Sequence, residues 1–271
     1  MSETLETTDV LSDADLLDRT AAAVRAAGLA LHERFGEVIP YASRDDLMRA
    51  LAVNDDTVLG ILRPRLTRLR PKAGWVEDEL DGGALPPGEW WVVDPAEGNV
   101  NHLHALPDWA VTATLVRENK PVLTVVHLPL TGETYTALAG GGAHLDGRPV
   151  RVSETADLGL GIVATSQARP DEDDDVVRRI GSSITAMLFD ALVVRTSVPA
   201  TLHLANVAAG RLDAFWQFAG ARADLLPGAL LVTEAGGRIS DVEGRPWTPH
   251  SESFLAAAPG VHPDAVTTLS R

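Results

Sequence analysis

Between residues 88 and 130 the chain carries three apolar, β-rich runs, EWWVV, DWAVTATLV and PVLTVVHL, with loop-forming residues between them. Runs of this length and composition read as strands. They constrain the fold more than any other feature, because the segments ahead of them have a different period. Over residues 12 to 35 apolar side chains recur at helical spacing, with Ser12 as N-cap, Asp15 in the capping-box position and Gly36 as the stop. Residues 45 to 70 read as a second helix. Pro64 should end or kink it, since proline lacks the amide donor and its ring clashes with the preceding turn.

Beyond the three strands, TGETYTALAGGGAHLDGRPVRVS reads as short strands separated by Gly140 to Gly142 and by an Asp146-Gly147 turn. The acidic run in ARPDEDDDVV is a solvated stretch opening a helix, because adjacent carboxylates cannot all face one ion. The second half adds strands in GIVAT, LVVRT and RLDAFWQF, and helices around residues 200–209 and 225–235. Helices and strands mix throughout, without a repeat or a low-complexity linker, so the expectation is one α/β (α+β) domain over residues 1–271. Residues 1–11 read as a disordered leader, and a split into lobes at 12–155 and 156–271 is the alternative organisation.

Hydrophobic residues make up 45% of the 271, ample for a packed core. Acidic residues outnumber basic ones by 38 to 23, and the formal charge of −15 repels a polyanion such as nucleic acid. The chain has no cysteine, which excludes disulfides, thiolate catalysis and zinc-thiolate sites, so any metal must sit on oxygen or imidazole ligands. The start, MSETLETTDVLSDAD, is polar and acidic where a signal peptide needs a basic and then an apolar run. The apolar stretch over residues 21–31 contains Arg25 and falls short of the ~20 residues that span a bilayer. A cytoplasmic protein without a membrane span is expected.

Chemistry concentrates in WWVVDPAEGNVNHLHALPDWAVTATLV, residues 90 to 116. The strand WWVV delivers Asp94 and Glu97 onto a loop broken by Pro95 and Gly98, placing two carboxylates and the Ala96 carbonyl where one hard cation can bind. Upstream, WVEDEL supplies Asp78 and Glu79. Downstream, ARADLLPGALLVTEAGG supplies Asp224 at a helix start, where the dipole favours an anion. Together these carboxylates would make a Mg²⁺ site.

These segments resemble the inositol monophosphatase family. Asp94, Pro95, Gly98 and Asn101 match its Asp-Pro-x-Asp-Gly-Thr-x-Asn motif. Asp224, Gly228, Glu234, Ala235, Gly236 and Gly237 match its Trp-Asp-x-x-x-Gly motif and Glu-Ala-Gly-Gly tail, and HLDGRPVRVSE is similar to the stretch between. The resemblance implies a layered αβαβα sandwich, a homodimer and Mg²⁺-dependent phosphomonoester hydrolysis of a small sugar, cyclitol or nucleotide phosphate. Carried over, the metal ligands are Asp78, Glu79, Asp94, the Ala96 carbonyl, Glu97 and Asp224. Catalysis falls to Asp94, Glu97 and Asn99, and substrate binding to Gly98, Asn99, Val100, Gln217, Arg222 and Asp224.

Departures from the motifs are specific. Glu97 stands for the family's second Asp, Asn99 for its water-orienting Thr, Asp78 for a Glu and Gln217 for a hydroxyl-binding Glu. Val198-Pro199 replaces a Gly-Thr pair, and Arg222-Ala223 replaces the residues ahead of Asp224. The family's water-activating Asp falls on or near Ala52, with Asp55 and Asp56 one turn later. Since general-base help supplies about 10²–10⁴ in rate, two alternatives stand beside hydrolysis. One is non-hydrolytic elimination or transfer of a phosphate or sulfate group, and the other is a non-catalytic binding role. Nearby features have simpler readings: His102 and His104 as satisfied hydrogen-bonders, Trp90-Trp91 as core, and EAGG as a helix C-cap.

Overall fold

The computed structural model of the protein describes residues 11–37, 41–77, 83–167, 172–218 and 222–271. Helix α1 (Asp13–Glu33) starts where its cap requires: the Ser12 hydroxyl accepts the Asp15 amide at 3.1 Å. Leu16, Thr20, Val24, Ala27 and Leu31 form its buried stripe. Helix α2 (Arg44–Leu69) is capped by Ser43 and buries Ala50, Asn54, Val58, Leu62 and Leu66. It runs through Pro64 rather than ending there. The bond that proline forfeits belongs to the carbonyl of exposed Gly60, which water can serve, while Leu62 and Leu66 are fully buried and hold the turn.

The first sheet contains β1 (Gly74–Trp75), β2 (Glu89–Glu97), β3 (Ala110–Arg117), β4 (Lys120–Leu128), β5 (Glu133–Leu138), β6 (Gly142–Leu145) and β7 (Arg148–Pro149) in sequence order. Among the described residues of this sheet only β1 and β2 pair in parallel. The short helix α3 (Asn99–Leu103) follows β2 directly. The second sheet has the order β11-β12-β10-β8-β9, built from β8 (Ile162–Thr165), β9 (Val193–Thr196), β10 (Ala214–Phe218), β11 (Arg238–Ser240) and β12 (Ser253–Ala257). Helices α4 (Asp174–Asp190), α5 (Ala200–Ala208), α6 (Arg222–Glu234) and α7 (His262–Leu269) complete the fold. Strands β1, β11 and β12 and helices α3 and α7 were not anticipated, and α6 begins three residues before the expected 225.

Three of the four hydrophobic clusters among the described residues define the layers. Leu16, Val24, Leu62 and Leu66 of α1 and α2 pack on Trp91, Val111 and Leu115 of the first sheet. Leu204, Leu230 and Leu231 of α5 and α6 lie between Val126 and Tyr135 of that sheet and Phe215 and Phe254 of the second. Trp216 and Leu255 point the other way, toward Ile180, Met187 and Ala265 of α4 and α7. Phe215 and Trp216, like Phe254 and Leu255, therefore divide two cores by the two-residue period of a strand. The result is the expected αβαβα sandwich. Among the described residues no helix is long and apolar enough to cross a membrane.

Candidate active site

Asp94 and Glu97 stand three residues apart in β2, which in a regular strand would aim them at opposite faces. Here Asp94 pairs with Thr112 and Glu97 with Ala110, so Pro95 and Ala96 oppose Val111 alone. This one-residue bulge restores the parity. Asp94, Glu97 and Asp224 bring carboxylate oxygens within 4.8 Å of one another, with Asp94 and Glu97 buried. Asp94 Oδ1 accepts the Ala96 amide at 2.9 Å, which fixes its rotamer.

Asp224 enters from the first turn of α6, at the positive end of the helix dipole. Its height is set by Gly228, where an added Cβ would lie 2.2 Å from the Leu204 Cβ, so α6 approaches α5 as only glycine permits. One residue that sequence reasoning missed joins the two sides. The Thr201 hydroxyl lies 2.9 Å from Glu97 Oε2 and 2.8 Å from the Asp224 carbonyl oxygen. Its only signal was position, just after the altered Val198-Pro199 pair.

Gly98 turns the chain from β2 into α3 with φ +82, and a Cβ there would stand 2.6 Å from the Asp108 carbonyl. Asn101 ties that turn down, donating to Asp108 O at 2.8 Å and Val198 O at 3.0 Å. The cavity so formed is about 390 Å³, and its walls include Ala96, Gly98, Asn99, Val100 and Gln217 besides the three carboxylates. Asp78 and Glu79 lie outside the described residues, as does the side chain of Arg222, whose backbone opens α6.

Asn99 is fully engaged. Its amide group donates to Leu51 O at 3.1 Å and Asp55 Oδ1 at 2.9 Å, and its oxygen accepts from Asn54 at 2.7 Å. Asn54 also donates to His102 Nδ1, and His102 Nε2 donates to Leu31 O, which fixes a neutral imidazole whose pKa burial lowers. His104 bonds the Tyr41 hydroxyl. Both histidines thus serve structure. Asp55 lines the cavity, and desolvation pushes its carboxyl up to about 6 against the opposing hydrogen bond from Asn99. The acid missing at Ala52 has a counterpart one helical turn later.

Glu234 is occupied structurally as well. Its carboxylate accepts the amides of Gly140 and Gly142 at 2.8 and 2.9 Å, and Gly236, at φ +86, closes α6.

Three carboxylates at this spacing repel by about 3 kcal/mol per pair at an effective dielectric of ~20. Among the described residues no Lys, Arg or His lines the cavity. An all-oxygen donor set of this kind fits Mg²⁺, on which adjacent ligand oxygens sit about 3 Å apart, so a small side-chain adjustment would close it.

Comparison with known proteins bears on this site. The sequence model of the inositol monophosphatase family matches residues 13–271. The Inositol-1-monophosphatase of Rhizobium meliloti is 33% identical over 231 residues, 84% of this chain and 86% of that protein. Inositol monophosphatase 2 of Solanum lycopersicum is 38% identical over 155 residues, 57% of this chain and 58% of that protein. The crystal structure of the extragenic suppressor protein suhB from Bartonella henselae superposes with a TM-score of 0.80 at 26% identity, over 94% of this chain and 99% of that one.

Proposed function

Because the chain belongs to the inositol monophosphatase family of phosphoric monoester hydrolases, we propose that it is a Mg²⁺-dependent phosphomonoesterase acting on a small sugar, cyclitol or nucleotide phosphate. The observation that carries this reading is the convergence of Asp94, Glu97 and Asp224 in the wall of a cavity able to hold a small ester. Mg²⁺ held there would neutralise phosphate oxygens and acidify bound water.

The chain's own residues do the rest. Asp94 and Glu97 would hold the metal from the bulge and Asp224 from the helix, while Thr201 fixes the Glu97 carboxylate. Water attacks phosphorus, the P–O bond to the alcohol breaks, the leaving alkoxide takes a proton from solvent, and the products are the free alcohol and inorganic phosphate. Asp55 takes the proton of the attacking water. Its raised pKa leaves it ionised near neutrality yet basic enough to accept a proton. Asn99 positions Asp55, and an amide with both protons committed carries no proton itself.

That same amide is the observation favouring the second reading, elimination or transfer without water. Turnover in ¹⁸O-labelled water, over a panel of sugar, inositol and nucleotide monophosphates, separates the two. Label in the released phosphate is expected, and phosphate released unlabelled would reject hydrolysis.

The partner assignment, a second copy, also draws support from the surface. Leu160, Leu188, Phe189, Leu192 and Val193 are exposed, Phe189 at 85%. They cluster at β9, which ends its sheet with β8 on one side only, and strand edges and apolar patches of this kind are where identical chains join.

A further inference from the structure

The buried stripe of α2 is Ala50, Asn54, Val58, Leu62 and Leu66, a row four residues apart in which one member carries an amide. Asn54 is 1% exposed. Burying an amide is unfavourable unless its polar atoms are matched. Asn54 is matched on both sides, and the matching has a direction.

Two ends fix that direction. The Arg34 Nε–H can only donate, so the Asn54 atom it meets at 3.4 Å is Oδ1. The Leu31 carbonyl can only accept, so His102 Nε2, 3.0 Å away, carries the ring proton and Nδ1 of the neutral imidazole is an acceptor. Asn54 Nδ2 then gives one proton to His102 Nδ1 at 3.1 Å and the other to Asn99 Oδ1 at 2.7 Å. With its oxygen taken, Asn99 turns Nδ2 to the Leu51 carbonyl at 3.1 Å and to Asp55 Oδ1 at 2.9 Å. A flipped Asn99 would set its oxygen against the Asp55 carboxylate and its N–H groups against those of Asn54, so the chain of bonds admits one polarity.

Resting on the reading of Asp55 as the base of a phosphomonoesterase, we propose that Asn54 is a positioning residue for the reaction: held by Arg34 and His102, it keeps Asn99 in the one orientation that presents an N–H to Asp55. Neither Asn54 nor His102 lines the cavity, so both act through Asn99. The bond from Asn99 opposes the desolvation that raises the Asp55 carboxyl to about 6, and losing it would raise the carboxyl further. The other charged groups around Asp55 are Asp56 beside it on α2 and, lining the same cavity, Asp94 and Glu97 of β2 and Asp224 of α6. A change at position 54 leaves all of them in place.

The test titrates the Asp55 side-chain carboxyl by ¹³C NMR in metal-free protein, its resonance assigned by its absence from Asp55→Asn. The parent midpoint is expected near 6. Asn54→Leu, which replaces the amide by methyl groups of similar shape, is expected to move it up by about one pH unit, the worth of one hydrogen bond to a charged group. In Mg²⁺-loaded protein, with whichever ester of the monophosphate panel turns over fastest, the acid limb of kcat/KM should move with it, a fall of about fivefold at pH 6. A purely structural Asn54 would lower the melting temperature and leave the midpoint where it was. Should Asn54→Leu not fold, His102→Phe is read in its place: the ring keeps its edge contacts with Phe35 and Trp109 and loses the Nδ1 acceptor, and the midpoint should rise. An unmoved midpoint in the variant so read overturns the proposal. A midpoint that rises while no ester is hydrolysed upholds Asn54 as the residue that orients Asn99 toward Asp55 and rejects only the phosphatase reading.

Discussion

Asp55, the proposed base, sits in the fold at a cost to its own ionisation. Its folded pKa of about 6 lies above the 3.8 of an ordinary aspartate. The protonated form is therefore the one the fold favours, and the stability it confers is intact below pH 3.8 and lost as pH rises toward 6. Asp55→Asn keeps an acceptor for Asn99 and removes the buried charge. Thermal melts should show the variant gaining over the parent from pH 4 to pH 7, while its kcat falls by about 10²–10⁴. An unchanged pH dependence of the melting difference, or full activity, would remove Asp55 from the base role. Asp94 and Asp224 were legible in sequence because each sits in a motif beside a strand end or a helix start. Asp55 was visible one turn after Ala52, but its contact with Asn99 was not, and Thr201 was missed altogether, since the partners Asn99 and Glu97 lie 44 and 104 positions away. Only folding brings them together.

Elements place these residues, and the constraints on them are steric. Gly228 is the point where α6 meets α5, and Gly228→Ala would drive a methyl into Leu204. Overpacking of this kind costs about 1–3 kcal/mol, roughly 2–4 °C of melting temperature per kcal/mol in a chain of this size. It also displaces Asp224, so Mg²⁺ affinity should fall with the melting temperature. A variant as stable and as tight as the parent would show that the helix contact is slack. At this scale the sequence was readable wherever period was strong, as in α1, α2 and β2 to β6. At Pro64, of the two expectations, an end or a kink, the end is excluded, because fully buried Leu62 and Leu66 outweigh one lost hydrogen bond and the helix continues. The sequence was silent on β11 and β12, whose three and five residues are too short to show a period. The bulge in β2 was hidden for another reason: Pro95 marks a break in the ladder, but which face Glu97 takes is decided by the pairing with β3.

For the whole molecule, the αβαβα layering puts both halves of the chain to work on one site. β2 of the first sheet and α6, packed between the sheets, supply its carboxylates. The exposed apolar cluster at β9 bears on assembly. Light scattering at micromolar concentration should return twice the 28.8 kDa chain mass, and Phe189→Asp with Leu192→Asp should return one, while a monomeric parent would reject the dimer. Whether the three carboxylates form one Mg²⁺ site that drives ester hydrolysis is tested most directly by calorimetric titration of Mg²⁺ into the parent, Asp94→Asn and Asp224→Asn. Such a site requires binding in the parent that weakens as pH falls, because carboxylate ligands must be ionised, and loss of both binding and phosphate release in each variant. Unchanged Mg²⁺ affinity in the two variants would contradict it.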